Sequence, residues 1–136
     1  MGLVEKRAAK EFETKVFPGI QSEIHAAAGF PVPVEVDWES LTLPDQAQLY
    51  DEGWRAVYFT PLVAALKAIT IDDMGKEALQ AGLKKVVVKN TAGVYSANAW
   101  ATFDGGVLTL DHEPTTNMGD VNERIKGAQE VLEKAL

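Results

Sequence analysis

Two short alternating runs meet at Asp104-Gly105, a pattern that a tight β-hairpin satisfies and a helix does not. Ala97 to Phe103 lies on one side and Gly106 to Asp111 on the other. Both turn residues tolerate positive φ, as a two-residue hairpin loop requires. Upstream, Lys84 to Lys89 is short and β-branched, and Asn90-Thr91-Ala92-Gly93 has the composition of a turn. The stretch from Lys84 to Pro114 therefore reads as three consecutive antiparallel strands.

A fourth strand is expected earlier in the chain. Pro31-Val32-Pro33 is extended because each residue before a proline avoids the helical region. After it, Val34, Val36 and Trp38 alternate with Glu35, Asp37 and Glu39. Its proline-marked entrance suits a sheet edge.

Helical sequence surrounds these strands. Val4, Ala8, Phe12 and Val16 recur every four residues, and Pro18-Gly19 is expected to break or kink that helix before a second piece ending at Gly29. Trp54 to Phe59 fits a strand or the first turns of a helix, and Thr60-Pro61 has the form of an N-cap followed by proline. Met74 to Ala81 is a further helix, closed by Gly82. The last helix starts at Asp120, with Glu123 three residues on, and carries Val121, Ile125, Ala128, Leu132 and Leu136 on one stripe. Strands joined by tight turns and flanked by helices predict an α+β fold. Its sheet would be antiparallel, of about four strands (33–39, 84–89, 97–103 and 106–112), with the helices, N- and C-terminal ones included, packed on one face. The 136 residues fit a single domain, 1–136.

Hairpin register sets which residues face the core. A two-residue turn at Asp104-Gly105 would pair Ala101 with Leu108 and Ala99 with Leu110. Ala97, Ala99, Ala101 and Phe103 then share the core face, and Asn98, Trp100 and Thr102 face outward. A three-residue turn would invert that parity and bury Trp100. Facing outward, Trp100 would be an aromatic anchor of the kind found at binding surfaces.

Charge bounds the partners. The net charge is −7, and no Lys or Arg occurs between Val16 and Trp54, where seven carboxylates fall. Those seven account for the whole imbalance. Such a field opposes phosphate backbones and anionic lipid, so neither nucleic acid nor a membrane surface is expected as a partner. Cysteine is absent, which excludes disulfides and thiol chemistry. The start of the chain lacks an apolar run long enough for a signal peptide or membrane span, and a soluble cytoplasmic protein is the expectation.

No motif assigns a reaction. The serines sit in no nucleophile elbow, and Gly75-Lys76 lacks the glycine-rich loop of a phosphate cradle. No metal site or cofactor is expected, and His25 has no acidic partner at zinc-site spacing. Asp111-His112-Glu113 is a possible acid/base triplet, although strand alternation points His112 away from its two neighbours. The leading expectation is a non-catalytic binding domain that uses the acidic segment 35–52, with Glu35, Asp37, Glu39 and Trp100 as contact residues for a cationic or polar protein partner. The alternative is a small enzyme or ligand-binding protein with its site near Asp111, His112 and Glu113. The terminal amphipathic helices would also allow a homodimer.

Overall fold

The computed structural model describes residues 2–136. It begins with a helix that runs unbroken past Pro18-Gly19 as α1 (Leu3–Glu11), a π turn (Phe12–Val16) and α2 (Phe17–Ala28), so of the expected break or kink the break is absent. The π turn explains the continuity. The N–H of Phe17 reaches back five residues to the Phe12 carbonyl, and Pro18 enters in the widened turn just behind it. A proline ring clashes with the carbonyl four residues before it, and widening the helix relieves that clash.

The same device recurs at Pro61. After β1 (Val34–Val36), a one-turn helix α3 (Trp38–Leu41) and a 3₁₀ turn (Ala47–Leu49), the chain forms α4 (Tyr50–Trp54), a π turn (Arg55–Phe59) and α5 (Thr60–Ile69). Residues 54–59 are thus helical. Thr60 lies inside a continuous helix instead of capping a new one, and its N–H bonds to the Arg55 carbonyl. The helix α6 (Asp73–Gly82), strands β2 (Lys85–Lys89), β3 (Ala101–Asp104) and β4 (Val107–Asp111), and the helix α7 (Val121–Ala135) complete the chain.

The fold is α+β, but the sheet is mixed and mostly parallel, which corrects the antiparallel expectation. Its order is β1-β2-β4-β3, with β1–β2 and β2–β4 parallel and only β3–β4 antiparallel. Parallel pairing of β1 and β2 follows from the long helical connection between them. Parallel pairing of β2 and β4 comes from the 90–100 segment, which carries the chain past β4 to the outer edge. There β3 forms, and the hairpin returns β4 into the gap. The Asp111 carboxylate ties this crossing down, accepting from the N–H groups of Thr91 and Ala92 and from the Thr91 hydroxyl.

Two strand boundaries also change. The first strand stops at Val36 because Asp37 caps α3, its Oδ1 accepting from Ser40 N–H at 3.2 Å. Residues 97–100 form turns, and β3 starts only at Ala101. The hairpin loop is Gly105-Gly106, one residue beyond the expected pair, with φ of 58° and 83°. Two consecutive positive φ angles favour glycine over aspartate. The pairs become Ala101 with Leu110 and Phe103 with Leu108. Parity survives the shift, so Ala101, Leu108 and Leu110 still face the core.

That core covers one face of the sheet. Val86, Val88, Leu108 and Leu110 are buried with Leu62, Leu66, Ala128 and Leu132 of the helices. The other face carries Lys85, Val87, Lys89, Thr109 and Thr102 and stays partly open. Beside β1, the rings of Phe12, Phe17, Trp38, Trp54 and Phe59 form one aromatic cluster, and Tyr50 stacks on Trp54 at 4.6 Å. Both π turns contribute to it, through Phe12 and Phe59.

Candidate functional site

The carboxyl ends of β1, β2 and β4 open on one edge, the place where ligands commonly bind in sheets of parallel strands. Polar side chains gather there in the segments 37–42, 90–92 and 111–117. Ser40 and Asn90 bridge the first two: Asn90 N–H donates to Ser40 Oγ at 3.0 Å, and the Asn90 amide donates to the Ser40 carbonyl at 3.2 Å.

The Asp111-His112-Glu113 triplet is dispersed. Asp111 faces the 90–92 crossing. Glu113 folds onto its own loop, accepting from Thr115 N–H at 3.2 Å, from the Thr115 hydroxyl at 2.9 Å and from the Thr116 hydroxyl. His112 points inward and is 0% exposed. Its Nδ1 lies 2.6 Å from the Glu113 carbonyl, an acceptor, which assigns the proton to Nδ1 and leaves Nε2 a buried acceptor without a partner. The Tyr58 hydroxyl donates to the His112 carbonyl.

Beneath this loop lies the least expected residue of the chain. Arg124, in the first turn of α7, is 0% exposed. Its Nη2 donates to the carbonyls of Thr116 and Asn117, and no carboxylate lies within ion-pair distance among the described residues. Its Nε and Nη1 have no partner. The Arg124 carbonyl accepts from Trp100 Nε1 at 3.0 Å. Tyr58 and Arg124 thus clamp the 112–117 loop onto the helices, and Trp100 holds the backbone of Arg124. The burial of Arg124 was legible in part, since it stands four and eight residues before Ala128 and Leu132, the fully buried residues of α7.

Burial holds His112 below the ordinary histidine range, and the Arg124 charge pushes the same way against the hydrogen bond to Glu113. The unfolded chain therefore binds the proton more readily than the folded one. The stabilising contribution is complete above the unfolded value of about 6.5 and is lost as pH falls from there toward the lower folded value. Urea midpoints measured from pH 7.5 downward should drop over that window. His112→Gln should flatten the drop, and equal pH slopes for the two proteins would exclude His112 as its source.

The acidic residues remain outside. Glu35, Asp37 and Glu39 are all exposed, but they do not line one side of a strand, since β1 ends before Asp37. Glu35 pairs with Lys85 at 3.3 Å across the sheet. Asp37 caps α3, and Glu39 borders a groove with Lys6, Lys10, Glu13 and Trp38. Asp51 pairs with Arg55 at 2.8 Å, while Asp45 and Glu52 are exposed without an ion pair among the described residues. Trp100 is 1% exposed, which removes it from any contact surface. The turn at 97–100 lifts it out of the strand and places it against α7, so hairpin parity never governs its direction.

Among the described residues, no cluster of three or more His, Asp or Glu side chains is placed to hold a metal ion, and no helix is long and apolar enough to cross a membrane. No family model, curated protein or solved structure matches the chain.

Proposed function

We propose that this chain is a non-catalytic binding domain that meets a cationic protein partner through the exposed carboxylates of residues 35–52. The observation that carries this reading is the contrast between two sets of polar groups. His112, Glu113 and Arg124 are turned inward and bonded to loop backbone or to neighbouring side chains. Asp37, Glu39, Asp45 and Glu52 face solvent and lack ion pairs among the described residues. Exposed like charges concentrated in one segment steer a partner of opposite charge and set its orientation. Protons cannot be exchanged with a substrate by an imidazole that no solvent reaches, which weighs against the acid/base alternative.

Two charge-matched variants test it. One carries Asp37→Asn, Glu39→Gln, Asp45→Asn and Glu52→Gln, and the asparagine at 37 keeps the cap of α3. The other carries Asp73→Asn, Glu77→Gln, Asp104→Asn and Glu130→Gln, at exposed positions elsewhere. Binding of a labelled Lys/Arg-rich peptide at low salt should weaken roughly 10-fold for the first and less than about 2-fold for the second. Equal losses would mean that net charge alone acts, and the proposal would fall.

A further inference from the structure

The two most exposed large apolar side chains of the described residues are neighbours. Ile71 is 83% and Met74 80% exposed, at the junction of α5 and α6. They line a groove of about 310 Å³ together with Ala78 and Leu136, and its only charged lining residues, Asp72 and Glu133, are acidic.

A second apolar patch lies elsewhere. Leu3 is 58% and Val4 67% exposed in the first turn of α1. Lys6 and Arg7 follow one turn later on the same side, both exposed and without an ion pair among the described residues. One surface is thus an apolar groove with acidic walls, and the other an apolar knob with a basic collar.

The two cannot meet within one molecule. From Leu3 to Ala27 the helix runs about 36 Å at 1.5 Å per residue. At its far end the Ala27 carbonyl accepts from the Thr70 hydroxyl at 2.8 Å, one residue before Ile71. Knob and groove therefore lie at opposite ends of the long N-terminal helix.

We propose that the chain associates with itself head to tail, the α1 knob of one copy seated in the α5–α6 groove of the next. Both surfaces are apolar at the centre and opposite in charge at the rim, which suits a second copy better than a partner drawn in by the acidic 35–52 segment. Unlike surfaces joined in this way generate open chains or closed rings, not a two-fold dimer. The patches are small, so the expected Kd is roughly 10–1000 µM.

Sedimentation velocity of the chain over a concentration series tests this, with two variants at exposed positions where the fold is indifferent to the side chain. Val4→Glu spoils the knob and leaves the groove, and Met74→Lys spoils the groove and leaves the knob. The unaltered chain should show a mass that climbs with concentration, while each variant alone stays a single chain. An equimolar mixture should form one dimer and nothing larger, because only one knob–groove contact remains possible. The proposal is overturned by a single-chain mass up to about 1 mM, by persistent association of either variant alone, or by no dimer on mixing.

Discussion

Replacing Trp100 by alanine should cost about 3–5 kcal/mol of folding stability. For a chain of this length that corresponds to a fall in Tm of roughly 10–17 °C. The indole is 1% exposed, and its N–H supplies the hydrogen bond to the Arg124 carbonyl. Gly127 lets α7 come close, since a Cβ there would lie 3.5 Å from Trp100 Nε1 and 3.2 Å from the Ala97 carbonyl. Alanine at 100 would therefore open a cavity between α7 and the start of β3 and also remove a second hydrogen bond to a carbonyl that keeps its helical partner four residues on. The two effects separate by substitution. Trp100→Phe keeps most of the volume and loses the donor, at about 0.5–1.5 kcal/mol. Thr102→Ala, exposed on β3 two residues further on, should change stability by no more than about 0.5 kcal/mol. Thermal and urea melts followed by circular dichroism read all three. A Trp100→Ala loss below about 1 kcal/mol would contradict the packing described.

Trp100 also marks where sequence reasoning reached its limit. The hairpin was legible because it is local: two alternating runs, two glycines and a parity that tolerated a one-residue shift in the turn. Whether residues 97–100 continued the strand was not legible. That depends on the 90–100 segment crossing to the outer edge, held by the carboxylate of Asp111, some twenty residues away in sequence. The same crossing makes β2 and β4 parallel. One clue to it was present, since Val86-Val87-Val88 is a continuous apolar run of the kind that parallel strands carry. The flanking lysines, which keep the second face partly open, masked it by restoring alternation. At Pro18 and Pro61 the usual rules for proline pointed to a helix break and a helix start. Each proline instead follows a π turn, and a π turn has no clear signature in residue pattern alone.

The candidate site was legible mainly in its charge. The absence of Lys and Arg from residues 16–54 concentrated the negative charge there, and the fold leaves those carboxylates exposed, while the pairing of Glu35 with Lys85 follows from a strand neighbour of opposite sign. Their arrangement was not legible, because Asp37 served as a helix cap where alternation had made it a strand residue. Asp111, His112 and Glu113 looked like a unit by adjacency. In the fold each has a separate partner, and the buried charge beneath them, Arg124, comes from a helix whose apolar stripe, read as Val121, Ile125, Ala128, Leu132 and Leu136, did not include it. Consecutive residues in a strand that gives way to a loop diverge, so adjacency in sequence is a poor guide to convergence in space.

Gly75→Ala should destabilise the chain by about 3 kcal/mol, although helix propensity alone favours alanine there by about 1 kcal/mol. The position lies in the first turn of α6, where Asp72 caps the helix through Gly75 N–H at 2.8 Å. The turn between α5 and α6 is so tight that a Cβ at 75 would stand 1.7 Å from the Ile69 carbonyl oxygen and 3.2 Å from Asp72 Oδ1. Backbone cannot swing aside as a side chain can. The carbonyl and the new methyl must part by more than 1 Å, which moves the start of α6 and with it Leu79, fully buried further along the same helix. Gly19, inside α2, supplies the control, because a Cβ there would meet nothing within 4 Å. Gly19→Ala should therefore follow propensity and gain up to about 1 kcal/mol. Opposite signs for two glycine-to-alanine changes in helices are the expected result, read from urea midpoints of the paired variants. If Gly75→Ala proved as stable as the unaltered chain, the close turn of α6 against the end of α5 would be wrong. The groove proposed for self-association, whose floor includes Gly75, would then lose its shape as well.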